Sequence, residues 1–329
     1  MSFVQAPQHR PAAGIACILV AMLSISVNDM LIKRLSGAYP LHELVFVRST
    51  IGIMFSLMLV QLEGGFQILR TSTPFLHALR GILIVISNLT YFTALAVISL
   101  AEAMAVFFVA PLFITLLAIP VLGEKVGPWR LGAVAVGLVG VIIMLRPWET
   151  AEAAPYNRLI LLLPVVAAFT YAFNQVLTRR LGVSSKASAM AVYIQATFIV
   201  VSALFFAIAG DGRFADGVDN ASVQFLLRAW IWPEGTDAWL FLGLGFNSAI
   251  IGYALSAAYR LADAGTIAPF EYVGMPLAVF WGWAVFGVLP DRIVLLGVLL
   301  IIGAGLVVFI RERIKEHEIV TLERGHRRY

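Results

Sequence analysis

Apolar residues in this sequence follow one another in long runs, without the alternation of apolar and polar positions that marks a barrel strand. The runs are roughly 17–25 residues long, which is the length a helix needs to cross a hydrocarbon layer of about 30 Å. Helices also satisfy their own backbone hydrogen bonds in lipid. The pattern therefore predicts an all-α integral membrane protein. Ten transmembrane helices are expected, at residues 13–32, 43–62, 75–96, 100–122, 130–146, 158–178, 188–209, 238–260, 264–288 and 293–310.

Two repeated segments divide the chain into related halves. Pro111-Leu112 recurs 165 positions later as Pro276-Leu277, and Asn28–Leu35 recurs 146 positions later as Asn174–Leu181. The two offsets differ by 19, so the second half should contain an insertion of about that length, and the polar stretch Asp211–Asp237 supplies it. Five helices per half is an odd number, so the second half must be inverted relative to the first. The expected fold is two inverted five-helix repeats.

The same patterns set the expected domain boundaries. Within the insertion, Val223–Trp232 is apolar, carries two tryptophans and is followed by Pro233, which predicts a short helix lying in the outer membrane interface. The expected units are a cytoplasmic N-terminal tail (1–12), a first repeat (13–146), a linker (147–157), a second repeat (158–311) containing the extracytoplasmic insertion 211–237, and a basic cytoplasmic tail (312–329).

Composition narrows the class of protein and its orientation. The chain is 60% hydrophobic and only 13% charged, which exceeds the apolar content that a soluble domain of this size can bury. Cys17 is the single cysteine, so an internal disulfide or a cysteine-based metal site is excluded. The net charge of +4 does not indicate a nucleic-acid partner, because 15 of the 23 Lys and Arg residues fall on the side of the N terminus. This asymmetry predicts a multi-pass protein of the bacterial inner membrane with both termini in the cytoplasm.

Ionisable residues within the predicted spans are few. An ionised side chain at the centre of a bilayer costs at least ~2.5–3.5 kcal/mol, so each needs a partner, a watery cavity or a position near the interface. Arg48 and Arg80 lie within about seven residues of a span end, a placement that favours the interface. Glu102 also lies near an end, where an interfacial position and a cavity position stay open. Asp29 and Glu271 lie deeper, which favours a cavity over a structural ion pair.

Polar residues also form stripes at helical spacing. Ser87, Asn88 and Tyr91 share one face of span three with Arg80, and a similar stripe follows span six. Such stripes serve either as contacts between helices or as the wall of a cavity, and several converging stripes favour a cavity. No catalytic, cofactor or metal site is predicted. The candidates for a substrate cavity are Asn28, Asp29, Arg80, Asn88, Tyr91, Glu102, Tyr171, Asn174, Gln175, Ser256, Tyr259, Glu271 and Tyr272.

Several short motifs carry a family resemblance. The sequence resembles the drug/metabolite transporter superfamily over residues 12–311, in its ten-helix branch with two EamA-like domains. The second half departs from the pattern at Phe286-Gly287-Val288, which lacks a glutamate after the glycine. The motifs are Tyr91-Phe92-Thr93-Ala94-Leu95, Ala101-Glu102-Ala103, Pro111-Leu112-Phe113, Leu122-Gly123-Glu124 and Leu131-Gly132-Ala133.

The resemblance implies alternating-access transport through a central cavity formed mainly by spans one, three, four, six, eight and nine. Its members carry amino acids, vitamins such as riboflavin, nucleotide-linked metabolites and drugs, so membership leaves the substrate and its direction open. We therefore expect a secondary transporter of a small organic metabolite. The expected partners are this substrate, membrane lipid and a coupling proton, with Asp29 or Glu271 binding the substrate or the proton.

Two other classes of protein fit the sequence less well. A membrane enzyme acting on a lipid-linked group would need a constellation of reactive side chains at one membrane face, but His42 and His77 are isolated near span ends. A channel would need a continuous polar pore, and the polar stripes lie among apolar neighbours. Neither class accounts for the converging stripes as well as a transporter does.

Overall fold

The computed structural model describes residues 10–123, 128–145, 156–182, 184–262, 267–300, 302–304, 306–307 and 310. Glu124-Lys125, Arg146, Arg311, most of the linker and nearly all of both tails lie outside the described residues, and so do the expectations made for them. The described elements are all helical, which confirms an all-α membrane protein. They are α1 (Pro11–Leu35), α2 (Leu41–Glu63), α3 (Pro74–Leu95), α4 (Leu100–Phe107), α5 (Ala110–Leu122), α6 (Pro128–Leu145), α7 (Leu162–Leu181), α8 (Ala187–Ala209), α9 (Ala221–Leu227), α10 (Thr236–Leu261), α11 (Gly274–Phe286) and α12 (Arg292–Ala304), with 3-10 turns at Phe66–Leu69, Arg158–Leu161 and Ala268–Val273.

Each predicted span overlaps at least one of these helices. Among the described residues, seven segments are long and apolar enough to cross a membrane, with α4 and α5 counted together as Leu100–Leu122. The remaining three predicted spans fall on α6 and on the shorter apolar stretches Phe270–Phe286 and Arg292–Ala304. The helix α9 is additional and lies in the insertion.

Spans four and nine are broken, although the sequence predicted them as continuous helices. Between α4 and α5 the helix is interrupted at residues 108–109, directly before Pro111, and α11 follows a 3-10 turn and carries Pro276 in its first turn. Proline lacks a backbone N–H and clashes with the carbonyl four residues earlier, so it fits the first turn of a helix and kinks or breaks the helix at interior positions. The repeated proline therefore gives both halves the same interruption at an equivalent place.

Both broken helices end at a glycine in the left-handed conformation. Gly123 after α5 has φ of 71°, and Gly287 after α11 has φ of 66°. A residue with a Cβ adopts this conformation only with strain, whereas glycine adopts it freely and lets its N–H bond back to the last turn. The N–H of Gly287 donates to the carbonyl of Trp283 at 3.1 Å. The repeat in sequence is thus a repeat of helix ends as well as of helix starts.

The two repeats interlock instead of forming separate bundles. The first helix of each half packs along the third helix of the other half, so that α1 lies against α10 and α3 lies against α7. The second helices, α2 and α8, pack against each other. Each contact is either made twice or made with its own equivalent, as a two-fold relation between the halves requires. The space between the halves is therefore lined by both.

Contacts between the halves gather at two opposite faces. At the face where α1 begins, which we call the amino-terminal face, His77 contacts Ser185 at 3.2 Å and the hydroxyl of Tyr253 donates to Glu63 at 3.0 Å. At the opposite face, the hydroxyl of Tyr39 donates to Asp237 at 3.0 Å. Burial and the Asp237 carboxylate both raise the pKa of Tyr39, so this phenol remains a donor at neutral pH.

A basic residue that recurs in both halves links the end of the first helix to the end of the third helix within each half. Lys33, in the last turn of α1, donates to the carbonyls of Leu95 and Ile98 in the turn that precedes α4, the second at 2.9 Å. Arg179, the equivalent residue in the last turn of α7, donates to the carbonyl of Ala262 at 2.8 Å, just past the end of α10. The two contacts are therefore equivalent and lie at opposite faces.

The insertion packs on the ends of α2 and α3. Its helix α9 begins after Asn220, whose side chain accepts hydrogen bonds from the next turn, and Phe225 is fully buried. The helix is shorter than the predicted Val223–Trp232, because it ends at Leu227, and Trp232 beyond it is 84% exposed. The ring of Trp230 packs against Phe206, with centroids 4.4 Å apart, because the chain beyond α9 turns back over the bundle.

We predict that the contact between α2 and α10 depends on Gly245. A Cβ at this position would lie 2.4 Å from the Cβ of Ile51, and neither atom can rotate away. Gly245→Ala should therefore lower the melting temperature of the purified protein in detergent by several degrees. Gly243→Ala, on the same helix, meets nothing within 4 Å and should leave it unchanged or slightly raised, because alanine favours helix. Equal melting temperatures for the two variants would contradict this packing.

Candidate functional site

A central cavity lies between the two halves, with about 1100 Å³ of space when its opening is included. The family resemblance implied walls from spans one, three, four, six, eight and nine, and all six contribute side chains. Spans two and seven contribute as well, through Arg48 on α2 and Ile194, Gln195 and Phe198 on α8. The breaks in spans four and nine both reach the cavity, at Phe108 and at Glu271.

Arg48 forms the centre of one polar cluster in the cavity. Its two terminal nitrogens donate to the amide oxygens of Asn28 at 2.9 Å and Asn88 at 3.0 Å, and its guanidinium lies 5.2 Å from the ring centre of Phe198. Asn28 in turn donates to Asp29 at 3.1 Å. The amide of Asn28 therefore links the arginine to the carboxylate. Interfacial placement was wrong for Arg48, which is 4% exposed, because seven residues of helix already carry it about 10 Å below the end of α2.

Arg80 occupies a second, separate position and joins four helices. Its guanidinium donates to the hydroxyl of Thr178 on α7 at 2.6 Å, the carbonyl of Met190 on α8 at 3.1 Å and the hydroxyl of Ser256 on α10 at 3.2 Å. The planar fork of arginine suits three acceptors that diverge in this way. Interfacial placement was wrong here too, because Arg80 is buried within the bundle.

Glu271 is held by two tyrosines. The hydroxyls of Tyr171 and Tyr259 both donate to the same carboxylate oxygen, Oε1, at 3.1 Å and 2.5 Å. Within the described part of the chain, the second oxygen, Oε2, has no hydrogen-bond partner. Since Glu271 lies in the cavity wall, this arrangement leaves one carboxylate oxygen for a ligand or a proton.

Aromatic rings cover the wall between the polar clusters. Phe107 makes edge contacts with Tyr91 and with Tyr171, with ring centres 5.3 Å and 5.2 Å apart. Phe108 contacts Tyr272 on the far side of the break, at 5.7 Å. Faces and edges of this kind accept a flat ring by stacking. The cavity therefore combines aromatic surface with polar groups at separate positions.

The structure gathers most of the candidate residues in this wall. Three candidates are buried but do not line the cavity, namely Gln175, Tyr259 and Tyr272. Of these, Tyr259 donates a hydrogen bond to Glu271. Glu102 lies at the opposite face, away from the cavity, and accepts a hydrogen bond from Tyr156. The candidates that line the cavity are Asn28, Asp29, Arg80, Asn88, Tyr91, Tyr171, Asn174, Ser256 and Glu271.

Sequence reasoning missed several lining residues. Arg48 was set aside because it lies near a span end, and Ser248 was not among the candidates. Gln195 was not noticed, although it is the sole amide side chain in α8 and such a residue in an apolar span is itself a signal. Arg48 and Gln195 lie on α2 and α8, which the family resemblance did not place in the wall.

Comparisons with known proteins agree with this architecture. A family model described as the EamA-like transporter family matches residues 12–146. A riboflavin transporter of Vibrio cholerae is 30% identical over 299 residues, covering 90% of this chain and 92% of that protein. An S-adenosylmethionine uptake transporter of Rickettsia prowazekii is 26% identical over 300 residues, covering 91% and 93% of the two chains. A crystal structure with 21% identity superposes with a TM-score of 0.66, covers 93% of this chain and 99% of its own, and shares the fold.

Proposed function

Since this chain belongs to the EamA-like transporter family of the drug/metabolite transporter superfamily, and is a secondary transporter of small metabolites, we propose that its central cavity binds a metabolite with a flat ring and a polar chain. The observation that carries this proposal is the composition of the wall. Aromatic rings there lie between the polar cluster around Asp29 and the polar cluster around Glu271. The riboflavin and S-adenosylmethionine named for the relatives both join a planar heteroaromatic ring system to a polar chain.

The interlocked packing supports alternating access as the mechanism. The halves are tied together at both faces, by Tyr253 and Glu63 at the amino-terminal face and by Tyr39 and Asp237 at the other. Transport by this mechanism requires one set of contacts to open while the other stays closed, so that the cavity faces one side at a time. Broken helices at the cavity, as in spans four and nine, are typical of such transporters.

The distribution of basic residues supports one orientation of the protein in the membrane. We place the amino-terminal face in the cytoplasm and the insertion outside the bacterial inner membrane, because 15 of the 23 basic residues fall on the former side. An alkaline phosphatase fused after Gly217, in the exposed insertion, should be active in cells, and one fused after Gly182 should be inactive. The reverse pattern of activities would show the opposite orientation.

Transport itself is tested with purified protein in liposomes. Vesicles loaded with unlabelled riboflavin or S-adenosylmethionine should accumulate the labelled compound by counterflow, and the initial rate should saturate with concentration, because each cycle binds one substrate. Empty vesicles and an unrelated membrane protein serve as controls. A flux that rises without saturation would indicate a channel, hydrolysis of the added compound would indicate an enzyme, and no exchange of either compound would contradict the proposed substrate class.

Asp29 and Glu271 are the proposed sites for a coupling proton, because each lines the cavity and is held by neutral donors instead of a direct ion pair. We expect Asp29→Asn or Glu271→Gln to abolish the dependence of uptake on external pH at the residue that carries the proton, while counterflow continues. A residue that serves only the structure would instead lower the yield of folded protein. Wild-type rates and pH profiles in both variants would exclude the two carboxylates from the mechanism.

A further inference from the structure

Gln195 lies in the wall of the cavity, and its carboxamide is held between α2 and α10. It is 2% exposed, and its Nε2 donates to the hydroxyl of Ser248 on α10 at 2.8 Å. On the side of α2, a Cβ at Gly52 would lie 2.8 Å from Nε2, and one at Gly252 on α10 would lie 4.0 Å from it. The absence of a side chain at Gly52 therefore provides the space that the carboxamide occupies.

The oxygen of this carboxamide has no partner in the part of the chain that the structure describes. Oε1 of Gln195 is buried and accepts no hydrogen bond from any described residue. A buried amide oxygen that is left unpaired costs free energy, and within a membrane bundle bulk water does not compensate it. Such groups in native proteins call for an explanation, of which a missing ligand is one. Two other polar atoms in the wall, Nε of Arg48 and Oδ1 of Asn174, also lack a partner among the described residues.

A purely structural role explains only half of this geometry. A glutamine inside a membrane bundle often joins two helices by a hydrogen bond, and the contact with Ser248 joins α8 to α10 in this way. That contact uses one N–H of the amide and leaves both the second N–H and the oxygen. In addition, Ile194 and Phe198, one turn or less away on α8, line the same cavity. This part of α8 is therefore cavity wall as well as a contact between helices.

We propose that Gln195 determines substrate specificity by pairing with the edge of the substrate's ring. The proposal rests on the transport function proposed above and deepens it. A planar carboxamide offers an N–H beside a carbonyl, so it pairs in two hydrogen bonds with a ring edge that carries an adjacent donor and acceptor, as amide side chains do with adenine. The substrate class is therefore a heteroaromatic ring with an amide, imide or amidine edge.

The neighbours of Gln195 suit this assignment. Phe198 follows three residues later on the same face of α8. The guanidinium of Arg48 lies over its ring, 5.2 Å from the ring centre. An aromatic ring next to a pairing amide provides a surface for a flat ligand. The polar chain of the ligand is then left to the clusters around Asp29 and Glu271. The imide edge of the riboflavin ring and the amino edge of adenine both meet the requirement of a donor beside an acceptor.

The test compares matched ligands on the full-length protein in liposomes. The pairs are riboflavin with its N3-methyl analogue, and S-adenosylmethionine with its N6,N6-dimethyl analogue, since each methylation removes the donor but keeps the ring. Wild-type protein should prefer the unmethylated partner in counterflow competition by about tenfold or more. Gln195→Met should lose this preference by weakening the unmethylated ligand alone. Gln61→Met, at an exposed position of α2, should keep it.

Each outcome separates this inference from the transport proposal. Exchange by Gln195→Met with the wild-type preference intact would overturn the role of Gln195 and leave transport standing. Failure of wild-type protein to exchange any of the four compounds would overturn both. If Gln195→Met does not fold, Ser248→Ala keeps the amide but removes its anchor, and it should reduce the preference by a measurable factor. An unchanged preference in folded Ser248→Ala protein would again overturn the proposal.

Discussion

The need to satisfy polar groups inside a membrane bundle is the constraint on which this structure depends. Without water, each buried cation or carboxylate must find its partners among other side chains and carbonyls. Arg80 meets this need with three oxygens from three helices, and Glu271 meets it with two tyrosine hydroxyls. Because Arg80 belongs to the first half and its three acceptors belong to the second, satisfying this cation also holds the two halves together around the cavity.

The repeated proline brings a polar and an aromatic residue to the cavity. Pro111 and Pro276 interrupt the fourth helix of each half, and the interruptions bring Phe108 and Glu271 to the cavity from opposite halves. The repeated basic residues act farther out, where Lys33 and Arg179 bind the carbonyls of equivalent turns at opposite faces. One sequence pattern used twice, in opposite orientations, therefore forms the two ends and the centre of the same pathway.

Much of this arrangement follows from the sequence, and the remainder depends on tertiary packing. Span positions, the repeat and the placement of Asp29 and Glu271 in a cavity were predictable, because length, hydropathy and depth within a span are local properties. The breaks in spans four and nine were not predicted, although Pro111 and Pro276 were noticed, since a proline in a span permits either a kink or a break. Arg48 was misplaced because distance from a span end does not reveal that its neighbours enclose it.

The central claim is that substrate binds in the cavity between the halves, and cysteine protection tests it most directly. In a Cys17→Ser background, a single cysteine replaces Ile251, which lines the cavity, or Asp216, which is exposed in the insertion. Riboflavin or S-adenosylmethionine, whichever supports counterflow, should slow maleimide labelling at position 251 and leave labelling at position 216 unchanged. Labelling at position 251 that proceeds at the same rate with saturating substrate would contradict a binding site in this cavity.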